Sequence, residues 1–541
     1  MESGAFTIRA RLVDIEGRCI LPAEVSVADG RIASITEAKG FTEGYLLPGF
    51  IDAHVHVESS MLVPSEFARL AVTHGTVGTI SDPHEIANVL GEAGVEYMIA
   101  NGRQVPFHFF FGAPSCVPAT AFETAGARID SDGVARLLAR KEVLYLSEVM
   151  DFPGVLSGEA EVMRKIAHAK LLGKPIDGHA PGLHGDAATR YIGAGISTDH
   201  ECFTAEEARF KLEQGMRVQV REGSAAKNFE ALIDLLHDWS DRMMLCSDDK
   251  HPDSLVEGHV NDLCARAVAR GIDVFKVLRA ACLNPILHYG LSIGRLRVGD
   301  PADFILVEDL ERFRVKRTWI SGRLVAADGR SLIDRVPCTA PNRFACAPKR
   351  PADFRMPATA GDVLAIEAID GQLITRKRWM PPTVREGALV ADTEKDLLKI
   401  AVVNRYADAP PAKAWITGTG LKRGAIAGSV AHDSHNIVAV GTNDEDLCAA
   451  INLVIEHRGG ISLADGANRR VLPLPVAGIM SDADAYIVAD AYAALDREAK
   501  ALGSSLSAPY MTLSFMALLV IPHLKLSDLG LFDGDSFRLL A

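Results

Sequence analysis

The chain lacks any long apolar run. Its longest, near Met511 to Ile521, is far shorter than the ~20 residues that a membrane-spanning helix needs. The first residues, Met1 to Gly4, lack the basic stretch followed by an apolar stretch that marks a secretory signal. The sequence therefore predicts a soluble protein with no membrane partner and no export signal.

Paired cysteines and an excess of positive charge are missing as well. The nine cysteines are scattered without a Cys-x-x-Cys pair, which favours reduced thiols in a cytoplasmic protein over a disulfide framework. Lys and Arg number 57 against 70 Asp and Glu, for a formal net charge of -13. Because neutralisation of phosphates dominates nucleic-acid binding, this balance argues against nucleic acid as a partner. A small-molecule substrate is expected instead.

Alternating β patterns stand near the start of the chain and again beyond its middle. Phe6 to Val13 is followed by a hairpin with an Asp-Gly turn, and a similar pattern returns at Ala302 to Val307. Residues 1–48 and 291–345 are therefore predicted to form one small β-sandwich built from two separated parts of the chain.

Between residues 49 and 290, short apolar runs alternate with helical stretches, which is typical of parallel βα units. Together with a strand that begins near Phe50, the predicted strands number eight. Their spacing of roughly 20 to 35 residues matches an α/β fold of the (β/α)8 barrel type. The seven later strands are predicted at Thr76–Ser81, Phe107–Phe111, Val143–Ser147, Pro175–Gly178, Ile196–Thr198, Arg217–Val220 and Met243–Cys246.

The pattern changes again after a Pro-rich stretch around Pro337 to Pro357. Residues 355–541 hold further alternating segments and helical segments such as Glu445 to Glu456 and Asp482 to Leu502. This region is predicted to be a separate C-terminal α+β domain.

The segment Pro48 to His56 is the most informative part of the chain. It is an apolar strand that ends in His-x-His, and since side chains alternate along a strand, His54 and His56 point the same way. Two neutral imidazoles at the carboxyl end of a barrel strand can bind one divalent metal where active sites of barrels lie. For the two histidines alone, simple hydrogen bonding is the ordinary alternative.

Later predicted strands also end in possible metal ligands. Each has an ordinary alternative when taken singly, because an Asp after a strand is commonly a helix N-cap and a buried His is commonly just hydrogen-bonded. Their recurrence at the ends of successive units favours a metal centre. The residues are Glu148, His179, His200 and Asp248.

Taken together, these motifs resemble the amidohydrolase superfamily of metal-dependent hydrolases. The resemblance implies that His54 and His56 bind a first metal, that His179 and His200 bind a second, and that Glu148 bridges the two. It also implies that Asp248 binds the first metal and acts as the base. The donors are all N or O atoms, so two divalent metal ions are expected, with Mn favoured and Fe or Zn as alternatives.

A finer resemblance, to the adenine deaminase family, covers nearly the whole chain. It rests on the strings Gly49–Met61, Asp82–Val89, Asp177–Gly182, Arg221–Ala226 and His432–Ile437. The resemblance implies hydrolytic deamination of adenine to hypoxanthine and ammonia by a metal-activated hydroxide at a binuclear centre. A homodimer is also expected.

The acid that protonates the purine ring departs from the superfamily pattern. Mononuclear deaminases of the superfamily place a Glu three residues after the His of strand five, where this chain has Gly182. Glu222, at the end of the seventh strand, is the first candidate for this catalytic acid, with Glu85 and Glu201 behind it. Each could equally be an ion-paired residue that supports the site.

Further residues are predicted to contact the substrate or to support its site. His84, after the second strand, is predicted to be either an additional metal ligand or a substrate contact. The turn after Arg221 either offers Ser224 and its backbone amides to the substrate or simply ends the strand. His435 lies far along the chain, before the apolar segment that begins at Ile437, so a loop reaching the barrel mouth is expected. The predicted substrate-binding residues are His84, Glu85, Arg221, Ser224 and His435.

Two other functions compete with this interpretation. The first is a cyclic-amide hydrolase of the same superfamily, similar to dihydropyrimidinase; the lack of a bridging Lys in strand four and the C-terminal domain argue against it. The second is a non-catalytic barrel scaffold. Such a protein should lack ligands, whereas every expected ligand position is filled here.

Overall fold

A computed structural model describes residues 4–40 and 42–540. Its centre is a set of eight buried parallel strands in two hydrogen-bonded sheets. The five-stranded sheet comprises Phe50–Val55, Thr76–Ser81, His108–Ala113, Val143–Val149 and Ile176–Gly178, and the three-stranded sheet comprises Thr198–Asp199, Arg217–Arg221 and Met243–Cys246. The later strands differ from the predicted bounds by at most two residues at either end.

Backbone hydrogen bonds join the two sheets on both sides. The Asp248 N–H donates to the carbonyl of His54 at 2.9 Å, and the Ser197 N–H donates to the carbonyl of Ile176 at 2.8 Å. The eight strands thus form one closed ring, which is the TIM-barrel type of fold. Parallel strands are covered on both faces, so their residues are almost uniformly buried.

Helices follow the strands around this ring, as parallel connections require. The α-helices are Pro64–Ala71, His84–Leu90, Glu92–Gly102, Ser131–Leu138, Phe152–Ser157, Ala160–Leu171, Gly185–Gly193, Ala205–Glu213, Phe229–Leu232, Leu236–Trp239, Pro252–Glu257, Val260–Ala269, Val274–Leu278 and Asn284–Tyr289. Short 3₁₀ turns are Val57–Ser60, Val72–His74 and Ile233–Leu235, and Arg279–Leu283 is a π-helical turn.

The two separated β-rich regions form one continuous eight-stranded sheet. Strand Tyr45–Pro48 joins them, since it pairs with Phe6–Asp14 on one side and with Phe304–Val307 on the other. The sheet curls around one apolar core, and its first residues approach its last part where Phe6 stacks on Trp319. Its remaining strands are Cys19–Ala28, Arg31–Glu37, Val315–Ile320, Arg323–Ala327 and Arg330–Ser331.

The C-terminal region contains a second eight-stranded sheet. In spatial order its strands are Arg376–Met380, Val363–Glu367, Ala412–Thr417, Leu398–Val403, Ile437–Gly441, Ala425–Gly428, Gly460–Asp465 and Asn468–Pro473. Two small sheets consist of Met356–Pro357, Ala388–Val390 and Thr383–Arg385, and of Leu524–Ser527, Gly530–Asp533 and Arg538–Leu539. The helices are Asp444–Glu456, Ala485–Ala501 and Pro509–Phe515, with a 3₁₀ turn at Pro351–Phe354.

One apolar core runs from the barrel into the C-terminal region. It includes barrel residues such as Phe67 and C-terminal residues such as Phe515 and Leu518. The C-terminal region therefore packs against the barrel rather than standing apart from it. Within the described residues, none of the helices is long and apolar enough to cross a membrane.

Candidate metal centre

The end of the first barrel strand places two imidazoles side by side. His54 Nε2 and His56 Nε2 lie 3.2 Å apart, and both side chains are buried. The strand is held from below by Asp52, whose carboxylate accepts hydrogen bonds from the Ser247 N–H at 2.9 Å and from His259 Nε2 at 2.8 Å. The alternation along this strand therefore turns both histidines into the barrel mouth.

Glu148, the penultimate residue of the fourth barrel strand, lies between the two groups of histidines. Its Oε1 is 3.3 Å from His56 Nε2, while its Oε2 is 2.8 Å from His179 Nδ1 and 3.3 Å from His200 Nε2. The two oxygens of one carboxylate thus face different imidazoles. This arrangement allows a single side chain to contact two cations at once.

Asp248 completes the group on the side of the first strand. Its Oδ1 lies 3.3 Å from His56 Nε2 and 3.6 Å from His54 Nε2. Its backbone φ of 55° is in the left-handed region, which Asp tolerates better than most residues. Its other oxygen, Oδ2, accepts a hydrogen bond of 2.7 Å from Arg221 Nη1.

The charges at this site favour a bound cation. Burial raises the pKa of Glu148, but hydrogen bonds from His179 and His200 outweigh burial and hold that pKa well below its usual range. Burial also opposes ionisation of Asp248, yet the Arg221 charge and a hydrogen bond from His56 keep its pKa well below the usual range. Burial lowers the pKa of His200, but hydrogen bonding and attraction to Glu148 raise it to about 9. A metal that binds here would displace protons from such imidazoles.

The donor set fits a divalent metal. All donors are imidazole nitrogens or carboxylate oxygens, which suits Zn, Fe or Mn and involves no thiolate. In each of several buried sets, the candidate ligand atoms lie within 4.8 Å of one another. Among these sets are His54, His56 and Asp248; His54, Glu148 and His200; and His179, His200 and Glu201.

Three polar residues that follow the second barrel strand lie beside the centre, namely Asp82, His84 and Glu85. His84 Nδ1 lies 3.2 Å from Asp82 Oδ2 and 3.4 Å from Glu148 Oε1, and its Nε2 lies 3.3 Å from Glu85 Oε1. Asp82 was not predicted as a site residue, although the string Asp82-Pro83-His84-Glu85 after a strand was a signal that could have identified it. His84 and Glu85 do reach the cavity beside the centre.

Residues from the C-terminal region also line this cavity. His432, Asp433, Leu373, Phe515 and Leu518 face it together with the histidines of the barrel. Asp433 Oδ1 is 3.6 Å from His84 Nε2, and Asp433 lies in the His432–Ile437 string, although it was not predicted as a site residue. The cavity therefore has a floor of candidate metal ligands from the barrel and a partly apolar roof from the C-terminal region.

Glu222 does not reach the cavity, which corrects the prediction that it faces the barrel mouth. Its carboxylate pairs with Arg266 Nη1 at 2.9 Å and lies 3.6 Å from Lys227 Nζ, and the side chain is partly exposed. The reason is the alternation of side chains at the end of the seventh strand. Because Arg221 points inward to Asp248 and Glu201, the next residue points away.

Two predicted substrate contacts also lie outside the cavity. The Ser224 hydroxyl accepts a hydrogen bond of 2.9 Å from the His251 N–H, so it fixes the loop after Asp248 instead of facing the substrate. His435 Nδ1 accepts from the Ala431 N–H at 3.2 Å, and its Nε2 lies against Glu85. His435 therefore supports Glu85 and is not among the residues that line the cavity. Of the predicted contacts, His84, Glu85 and Arg221 do line it.

Two parts of the chain match known protein families. Residues 45–325, more than half of the chain, match the Amidohydrolase family, and residues 372–538 match the Adenine deaminase C-terminal domain. The chain therefore belongs to the amidohydrolase family, which is metal-dependent.

Several relatives are similar to this chain over nearly its full length. The chain is 57% identical to the adenine deaminase of Salinibacter ruber, over 99% of this chain and 98% of the relative. It is 54% identical to the adenine deaminase of a Sulfurovum species, over 98% and 99%, and 50% identical to that of Methanosarcina barkeri, over 98% of both. Within the amidohydrolases, the chain belongs to the adenine deaminase family.

Proposed function

We propose that this protein hydrolyses adenine to hypoxanthine and ammonia at a binuclear metal centre. The observation that carries the proposal is the position of Glu148, whose two oxygens face His56 on one side and His179 and His200 on the other. Family membership supports the substrate, since the full-length relatives are adenine deaminases.

The two ions would be held by residues of the barrel alone. His54, His56 and Asp248 would hold one ion, His179 and His200 the other, and Glu148 would contact both. Mn is the favoured metal, with Fe or Zn as alternatives, because the donors are N and O atoms. Bound divalent ions would supply a hydroxide nucleophile at neutral pH, since such ions lower the pKa of water to about 7.

Asp248 has the position and charge of the base. It is ionised and buried, so it can accept the proton of the nucleophile and return it to the leaving amine. Arg221 holds this carboxylate through Oδ2 and leaves Oδ1 directed at the histidines. We therefore assign Arg221 to orienting Asp248 and Glu201 instead of to direct contact with the substrate.

Of the three residues considered as the acid that protonates the ring, Glu85 and Glu201 lie beside the cavity and Glu222 does not. Both oxygens of Glu201 accept hydrogen bonds from Arg221, which holds this carboxylate against the guanidinium. Burial raises the pKa of Glu85, but the charges of His432 and His435 hold it well below its usual range. An ionised Glu85 suits accepting an N–H of the base rather than donating a proton.

The proposed domain division follows these roles. The barrel of residues 49–290 carries the ligands, residues 1–48 and 291–345 form the flanking β-structure, and residues 355–541 close the cavity. Burial of a planar heterocycle needs apolar contacts on its faces, and Leu373, Phe515 and Leu518 offer them from the C-terminal region.

The test is a substrate comparison with metal-loaded protein. Purified protein is stripped with a chelator, reloaded with Mn, and assayed for ammonia and for the hydrolysed product with adenine, adenosine, dihydrouracil and dihydroorotate. We expect release of ammonia and hypoxanthine from adenine only, lost on chelation and restored by metal. Hydrolysis of dihydrouracil or dihydroorotate in preference to adenine would establish a cyclic-amide hydrolase instead.

A further inference from the structure

Among the described residues of the C-terminal region, His432 is the one imidazole that lines the cavity above the candidate metal centre. It precedes the strand Ile437–Gly441, far along the chain from every residue of the barrel. Its Nδ1 hydrogen-bonds to Glu85, which follows the second barrel strand. Its ring stacks on Phe515, with centroids 4.8 Å apart and planes at 21°. The ring is therefore oriented from two sides.

The second ring nitrogen, Nε2, has no hydrogen-bond partner among the described residues, although the side chain is only 2% exposed. A buried polar atom without a partner is costly, so such an atom in a binding cavity commonly faces a group of the ligand. Because the ionised Glu85 can only accept, Nδ1 carries a hydrogen, and the protonation of Nε2 decides whether it donates or accepts.

Neighbouring carboxylates favour the protonated form of His432. Burial lowers the pKa of His432, but the charges of Glu85 and Asp249 outweigh burial and raise it to about 9. Asp433 acts in the same direction, while burial lowers the pKa values of the nearby His251 and His435. At neutral pH both nitrogens of His432 therefore carry hydrogens, and Nε2 is a donor directed into the cavity.

A purine offers a matching acceptor. Attack of hydroxide on the carbon that bears the amino group places negative charge on the adjacent ring nitrogen. A fixed, charged donor in a cavity with little water stabilises such charge more than it stabilises the substrate. Of the barrel carboxylates near the cavity, Glu201 is bound to Arg221 and Glu85 is ionised, so neither of these two suits this part.

We propose that His432 donates a hydrogen bond through Nε2 to a ring nitrogen of the bound base, and so makes the C-terminal region part of the substrate site. The proposal rests on adenine as the substrate. Of the two histidines that contact Glu85, His432 lines the cavity and His435 does not, so the proposal concerns His432 alone.

The test uses His432→Phe, which keeps a ring against Phe515 but removes both nitrogens. We expect kcat/KM for adenine to fall by about 10²-fold, the usual effect of losing one donor to a developing charge, with metal content unchanged. The control is His457→Gln, since His457 bonds only to the carbonyl of Leu453 within its own helix and should behave as wild type. His432→Gln, which keeps an N–H, should retain more activity than the Phe variant.

Deaza analogues of adenine identify the contact directly. Inhibition constants of 1-deaza-, 3-deaza- and 7-deazaadenine are measured for the wild type and for His432→Phe. The wild type should bind one analogue distinctly more weakly than the others, and the variant should no longer distinguish it. Equal loss for every analogue in the variant, or wild-type kcat/KM for adenine, would overturn the proposal.

Two further results separate this proposal from the proposed function. If the wild type binds the analogues but does not release ammonia from adenine, the proposed function fails, while the analogue comparison still tests His432. If the Phe variant does not fold, as judged by circular dichroism, His432→Leu is used in the same comparison, because Leu also lacks a donor. Unchanged discrimination in the Leu variant together with wild-type kcat/KM would overturn the proposal.

Discussion

Arg221 and Asp248 form a buried pair in which Arg221 Nη1 donates to Asp248 Oδ2 at 2.7 Å. The same guanidinium also binds both oxygens of Glu201. A planar guanidinium suits this double task because its donors are held in a rigid fork. The pair couples the end of the seventh strand to the end of the eighth, and its consequence is a carboxylate that is both ionised and fixed in direction.

Replacing Arg221 should therefore shift the pH dependence of catalysis. Arg221 lowers the pKa of Asp248, so its removal raises that pKa, and the ionised base is lost at a higher pH on acidification. For Arg221→Met we expect the acid limb of the kcat/KM profile to move to higher pH. Arg221→Lys, which keeps the charge but not the fork, should move it less. An acid limb that stays in place in the Met variant would show that Asp248 does not control it.

Asp248 itself is expected to be essential. Asp248→Asn keeps the size of the side chain but removes the base, so kcat should fall by about 10²-fold or more. Metal content is measured in parallel by elemental analysis, and Asp253→Asn, on the helix that follows, serves as the control. A variant that holds its metal and works within a few-fold of wild type would require a different base.

Full activity is expected to need two metal ions per chain. The reason is that Glu148 faces both groups of histidines, so one ion would leave half of the ligands unused. Titration of the metal-free protein with Mn should reach its activity plateau at two equivalents. A plateau at one equivalent would contradict the binuclear centre.

Glu222→Gln should now behave almost as wild type. Its carboxylate pairs with Arg266 outside the cavity, so we expect kcat/KM for adenine within about threefold of wild type. Glu201→Gln is the contrast, because it breaks the pairing that orients Arg221, and it should lose far more. A large loss of kcat/KM in the Glu222 variant, with metal content unchanged, would show that Glu222 takes part in the reaction.

Lys525 is expected to hold the roof of the cavity in place. It is fully buried, and its Nζ donates to the carbonyls of Leu373 at 2.6 Å and Phe515 at 2.8 Å, two residues that face the cavity. Loosening apolar contacts that are equally strong in the ground and transition states raises KM more than it lowers kcat. For Lys525→Met we expect KM for adenine to rise by about tenfold with kcat little changed.

The control for this prediction is Lys399→Met. Lys399 is also buried, but it donates to the carbonyl of Phe354 and to Asp444, away from the cavity. Its KM should match that of the wild type. A parallel rise of KM in both variants would point to a general loss of stability instead of a role at the roof.

The sequence alone determined the strands of the barrel and the residues at their ends. Buried parallel strands appear as short apolar runs, so their positions can be predicted to within about two residues. His54 and His56 share a face because of the period of a strand, and the ring of eight strands brings Glu148, His179, His200 and Asp248 to the same mouth. Local pattern and the resemblance of its motifs were enough for the family, and the predicted ligands stay candidates that the structure brings close together.

The roof of the cavity depends on tertiary packing that local patterns do not fix. Whether Arg221 or Glu222 points inward depends on a shift of one residue at the end of a strand, which no composition or spacing fixes. The approach of His432, Asp433 and Phe515 depends on how the C-terminal region packs on the barrel. Such contacts join residues hundreds of positions apart, and they are set by the shapes of two surfaces rather than by any local signal in the chain.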